Sequence, residues 1–184
     1  IDSENNVWVS HPYRGVYKIN LSDINNPIIT KYDADDGLKS DNLNYVFYIS
    51  ESIFVTSETG IYTFNKGTDS FVEYEPWNKL LGTEQNISRL FEDDNKNIVY
   101  IAENNYGRLI PNYQSAEDSY FHESWTALND KFVGGFEYIM PYTKTQFLIA
   151  SDKGVDLQDL SNNNSMDELK CYINTVNLQE DSLN

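Results

Sequence analysis

Ile53-Phe54-Val55-Thr56-Ser57-Glu58-Thr59-Gly60-Ile61-Tyr62-Thr63-Phe64 is the stretch on which the fold turns. Two runs rich in β-branched and aromatic residues flank a short polar segment that ends in glycine. Such runs pack well on a pleated surface and glycine suits a tight connection, so the stretch reads as an antiparallel hairpin. Outward from it, Leu43 to Ile49 reads as a preceding strand and Phe71 to Tyr74 as a following one. Ser50-Glu51-Ser52 and Asn65 to Ser70 are the turns between them.

The same plan recurs along the chain. Val7-Trp8-Val9-Ser10, Val99-Tyr100-Ile101-Ala102 and Phe147-Leu148-Ile149-Ala150 match Ile53-Phe54-Val55-Thr56. Each run is followed by a glycine: Gly15, Gly60, Gly107 and Gly154 lie 45, 47 and 47 residues apart. A further strand-like run follows each glycine. Aligned this way, Trp8, Phe54, Tyr100 and Leu148 share one position, and the four glycines mark one turn. Four antiparallel strands in roughly 46 residues match one β-propeller blade. The sequence therefore predicts an all-β fold of about four four-stranded blades, with units near 1–40, 41–84, 85–130 and 131–168. A β-sandwich has no reason to keep so constant a period. The chain enters at the turn before a second strand, so the first unit lacks its innermost strand. The expectation is a fragment of a larger ring, unless Lys170 to Val176 supplies that strand.

Composition limits the partners. The net charge of −16 repels phosphate backbones and anionic lipid surfaces, which argues against nucleic acid. A single cysteine, Cys171, precludes an internal disulfide framework. No run of 18 apolar residues is present. Asn-x-Ser/Thr sequons at Asn20, Asn86 and Asn163 are expected by chance in so Asn-rich a chain.

Asp2-Ser3-Glu4-Asn5-Asn6-Val7-Trp8-Val9 and Gly15-Val16-Tyr17-Lys18-Ile19 resemble the two-component regulator propeller repeat, roughly D-x-x-G-x-[IL]-W-[IV]-G-T followed by G-[IL]-x-R-[FY]. Asp93 to Ala102 and Ile53 to Phe64 look like drifted copies, and Asp36 to Leu43 is similar to the family's inter-blade linker. Asn5 and Asn97 stand where the pattern has glycine, a mild change because Asn tolerates the left-handed region. The resemblance implies the extracytoplasmic, periplasmic sensor region of an inner-membrane regulator, often a histidine kinase, that recognises oligosaccharides. It also implies an Ig-like domain after the last blade, which Cys171 to Leu178 would open, so residues 169–184 are either that start or a last strand.

In a blade, the turn between second and third strands shares a face with the linker to the next blade, and ligands commonly bind there. That face would carry His11, Tyr13, Arg14, Glu58, Glu103, Asn104, Tyr106, Arg108, Asp152 and Lys153. Tyr13 beside His11 and Arg14, and Tyr106 beside Glu103, Asn104 and Arg108, pair an aromatic platform with polar groups, which suits a sugar. The longer loops, Asp33 to Asn42, Pro76 to Asn86 and Ser124 to Lys131, add Trp77 and Trp125, as platforms or as packing between blades. Asp93-Asp94-Asn95-Lys96-Asn97 lacks the glycine and final Glu of a calcium loop and reads as a solvated turn. His11 and His122 are the only histidines, far apart and without a cysteine pair, so no zinc site is expected. No cofactor is expected either, and neither histidine neighbours a nucleophile motif. The region is read as a non-catalytic binding module. The alternatives are a glycoside-cleaving propeller, which needs two placed carboxylates, and an interaction or homodimerisation scaffold.

Overall fold

A computed structural model describes residues 1–103, 105–115, 119–125, 138–143, 146–151 and 154–159. The elements in chain order are strands β1 (Asn6–His11), β2 (Gly15–Asn20), β3 (Ile28–Tyr32), β4 (Tyr45–Ile49), β5 (Ser52–Ser57), β6 (Gly60–Asn65) and β7 (Ser70–Glu73), then the helix α1 (Glu75–Leu81). Strands β8 (Ile87–Glu92), β9 (Ile98–Ala102), β10 (Asn105–Pro111), β11 (Tyr120–Ser124), β12 (Tyr138–Pro141), β13 (Gln146–Ser151) and β14 (Gly154–Asp159) follow. They form four antiparallel sheets, each built from consecutive strands: β1–β3, β4–β7, β8–β11 and β12–β14. The chain divides into two compact units, Ile1–Glu123 and Ser124–Asn184.

Within the first unit, two cores lie between successive sheets. Val16 and Tyr32 of the first sheet meet Ile53, Val55, Tyr62 and Phe71 of the second, with half-buried Trp8 and Phe64 against them. Phe54 and Ile61 of the second meet Leu90, Ile98, Tyr100 and Leu109 of the third, with Trp77 of α1. Side chains alternate across a strand, so adjacent residues of β5 enter different cores, and five consecutive residues, Ile53 to Ser57, are buried. The opposite face of the first sheet carries the cross-strand rows Val7–Ile19–Ile29 and Val9–Tyr17–Lys31. Val9 is 45 % and Ile29 61 % exposed there.

In the second unit, Phe147 and Ile149 of β13 and Ile139 of β12 are buried, and Phe147 packs at 5.5 Å from the Trp125 ring.

Three expectations change. The Pro76 to Asn86 loop begins as a helix, because proline's fixed φ and missing N–H suit a first helical turn. Gly107 does not mark the hairpin turn: Gly15, Gly60 and Gly154 pair with the last residues of β1, β5 and β13, but Asn105 holds that place in β10. Gly107 lies two residues further in, opposite Tyr100, where a Cβ would come within 2.2 Å of the Glu123 carbonyl oxygen. Counting from the hairpin, the position of Trp8, Phe54 and Leu148 is taken by Val99, not Tyr100, and Tyr100 points to the other face of its sheet, as a one-residue slip requires. The fourth strand of the fourth unit and residues 169–184 lie outside the described residues.

Candidate functional site

The connections of the first unit gather at the ends of its sheets. At one end lie the β1–β2, β5–β6 and β9–β10 turns and the linkers that enter β4 and β8. Leu43 N donates to Pro12 O, and Glu58 N to Asn42 O at 3.5 Å, so the linker joins the first two turns. The linker is held in a sparsely populated conformation: Lys39 and Leu43 have φ of 56° and 54°, uncommon for side chains of that bulk. Gly37, φ 99°, closes a short 3₁₀ turn capped by Asp33, and a Cβ on it would strike Phe71 O. Thr56 Oγ1 donates to Ile87 O at 2.6 Å, tying the end of β5 to the start of β8.

Two glutamates have matching surroundings. Glu58 Oε1 accepts from Ser40 Oγ at 2.5 Å and Asn42 Nδ2 at 3.1 Å. Glu103 Oε2 accepts from Asn86 Nδ2 at 3.1 Å. Each turn carboxylate is thus held by an asparagine from the linker entering its own sheet. Beside Glu58, across the linker, are His11 and Tyr13, their rings edge to face at 6.5 Å, and the Tyr13 N–H donates to His11 Nδ1. Tyr13 is 67 % exposed, and Arg14 is also exposed. His11, Tyr13 and Arg14 of the first turn and Glu58 of the second therefore lie at one end of the sheets, joined through Asn42 and Leu43 of the linker. Glu103 shares the same end.

The other sequence candidates are placed differently. Tyr106 is 3 % exposed, because the β9–β10 turn is two residues long and Tyr106 already lies in β10 opposite Ile101. It offers no open ring. Arg108 lies deeper in β10, where its Nε and Nη2 donate to Glu123 Oε2 at 3.2 and 3.0 Å. Trp77 and Trp125, 1 % and 2 % exposed, are packing residues. Asn104, Asp152 and Lys153, and the loop beyond Trp125, lie outside the described residues.

The aspartate turns are structural. Asp93 Oδ1 accepts from the N–H groups of Asn95 and Asn97, and Oδ2 from Asn97 Nδ2 at 2.9 Å. Asp2 does the same with Glu4 N and Asn6, and adds Trp8 Nε1 at 2.8 Å. Burial raises the Asp2 pKa, but these bonds outweigh it and hold the carboxyl at about 2. The residues at the left-handed position are Asn5 and Lys96, so Lys96, not Asn97, stands where the repeat pattern has glycine.

At the opposite end of the sheets, a cleft of about 660 Å³ opens among the β4–β5, β8–β9 and β10–β11 connections. Ser50, Glu51, Lys96, Asn112, Tyr113 and Tyr120 are among its walls. Sequence reading passed over Tyr113 because no motif surrounds it; only the stacking of sheets brings three distant turns together.

No family model matches the chain, and no curated relative does. Among solved structures, it is similar to the extracellular domain of BT4673 from B. thetaiotaomicron, described as a hybrid two component system, with a TM-score of 0.62 and 17% identity over 96% of this chain. A second structure of the extracellular domain of BT4673, described as a one component system, gives a TM-score of 0.55 and 14% identity over 92%. This chain spans 23% and 21% of those chains. Its all-β arrangement of consecutive antiparallel sheets is thus a fold found in an extracellular domain more than four times its length.

Proposed function

We propose that this chain contributes propeller blades to the extracytoplasmic sensor region of a two-component signalling protein, and that the region recognises oligosaccharides without transforming them. The observation that carries this reading is the structural match over nearly the whole chain to the extracellular domain of a two-component system. The repeat of Asp-turn, strand pair and glycine supports it. In this reading the protein is periplasmic and anchored to the inner membrane, further blades and an Ig-like domain adjoin the chain, and two copies can pair. His11, Tyr13, Arg14 and Glu58 are the proposed contact surface, since a pyranose can stack on Tyr13 while its hydroxyls bond to the carboxylate and guanidinium. Signalling needs the ligand to prefer one packing of blades and following domain, because equal affinity for both would shift nothing.

The test is thermal unfolding of the full-length protein against a panel of plant and microbial oligosaccharides. A ligand that raises the melting temperature, and does so less when Tyr13→Ala and Arg14→Ala are combined, supports the reading. A panel that leaves the transition unmoved would remove its ligand half. Release of reducing ends from a bound glycan would instead favour the glycoside-cleaving alternative.

A further inference from the structure

We propose a second ligand site, in the cleft at the opposite end of the sheets, built for a neutral saccharide. Its volume, about 660 Å³, falls in the range of small-molecule sites. Its lining is mixed: Ile98, Pro111, Tyr113 and Tyr120 give apolar surface, and Glu51 and Asn112 give polar groups. Tyr113 is 78 % exposed, so its ring is free to receive a sugar face. The tyrosine is presented by a built turn: Asn112 Oδ1 accepts from Gln114 N, Asn112 O from Ser115 N, and Asn112 N donates to Ser119 O. Tyr120 is half-buried and anchored edge to face on Trp77 at 5.8 Å, so one wall is rigid.

The charges decide the ligand class. Lys96 is the cation in the lining, and it is ion-paired with Glu92, which also accepts from Ser50 Oγ. Burial raises the Glu92 pKa, but the bonds from Lys96 and Ser50 outweigh it and keep the carboxylate charged. Lys96 is therefore matched within the protein, and Glu51 adds a carboxylate to the wall. Among the described lining residues an anionic ligand would meet no uncompensated positive charge, on a chain of net charge −16. The cleft opens among three turns at the ends of strands, which suits a compact ligand better than an extended peptide pairing along a sheet edge. Neutral vicinal hydroxyls fit the carboxylate and amide, and the apolar face of a pyranose fits Tyr113.

The test is isothermal titration calorimetry on the full-length protein with cellohexaose, xylohexaose, mannohexaose and laminarihexaose, and with trigalacturonate as the anionic arm. The expected result is that at least one neutral hexasaccharide binds, that Tyr113→Ala and Glu51→Gln each weaken it about tenfold, and that Tyr113→Phe, which keeps the ring, restores it to within about twofold. Tyr113 is exposed enough for its replacement to spare the fold, and circular dichroism checks each variant. Binding that follows Tyr13 and ignores Tyr113 would overturn this site and leave the sensor reading intact. Binding of none of the neutral hexasaccharides, or tighter binding of trigalacturonate, would also overturn it. Binding at Tyr113 in a protein that proves not to signal would leave the site standing and remove the sensor reading.

Discussion

Asp93 is 6 % exposed, and both of its oxygens bond within its own turn. Asp93→Ala would strand buried donors of Asn97 and is expected to cost about 2 kcal/mol, read as a lower urea midpoint. Asp2 makes the same turn at a more exposed place. Its folded pKa, about 2, lies below the ordinary 3.8, so its contribution is present above pH 4 and disappears as pH falls through 2. Solvent screening limits that contribution to about 1 kcal/mol, and Asp2→Asn should flatten the acid limb of the stability curve. Gly107 is constrained by space, not by φ. Gly107→Ala must displace both the Glu123 carbonyl and the Tyr100 hydroxyl, the latter donating to Asn105 Oδ1 and bonded to His122. A loss of about 2 kcal/mol or more in chemical denaturation is expected, against a small gain had the site been open. The glycines were legible as a period, but their reasons were not, since a close approach depends on a strand 16 residues away that no local pattern reveals.

The second sheet was the most legible element. Its four strands were expected at Leu43–Ile49, Ile53–Thr56, Gly60–Phe64 and Phe71–Tyr74, and they end within two residues of those bounds. Strong alternation and clear turns leave few competing registers there. The third sheet misled by one residue because glycine was used as the ruler. The helix α1 was missed because its Pro76 resembles a loop signal, although proline also begins helices. Trp77 on that helix stacks on Phe54 at 4.4 Å and meets Tyr74 and Tyr120 edge to face. Trp77→Ala should cost about 3–5 kcal/mol by leaving a cavity between two sheets. The β4–β5 hairpin carries strain of a different kind: Ser50 and Glu51 both have positive φ, where Asn-Gly would sit more easily. Glu51→Gly should therefore stabilise the fold by about 0.5–1 kcal/mol while weakening saccharide binding in the cleft, so stability and titration would move in opposite senses.

For the molecule as a whole, the open face of the first sheet matters most. Val9 and Tyr17 hold the positions that Val55 and Tyr62 hold in the second sheet, where both are buried. A polypeptide of these 184 residues alone should self-associate through that face, and Val9→Lys with Ile29→Lys should shift it toward monomer in sedimentation velocity. A monodisperse wild-type monomer would contradict this. The site was less legible than the fold at this scale. Glu58 could be placed by its turn, but the asparagine that orients it lies 16 residues earlier, and the cleft exists only once two sheets are stacked.

Strand β5 also has a mechanical consequence. Phe54 and Val55 are bonded neighbours with no slack between them, yet each is gripped by a different core. A push that moves one must move the other, so β5 works as a stiff diaphragm between two filled chambers. Sheets arranged this way do not absorb a disturbance locally. A small tilt imposed at the turns of one sheet would therefore be felt in the packing of the sheet beside it.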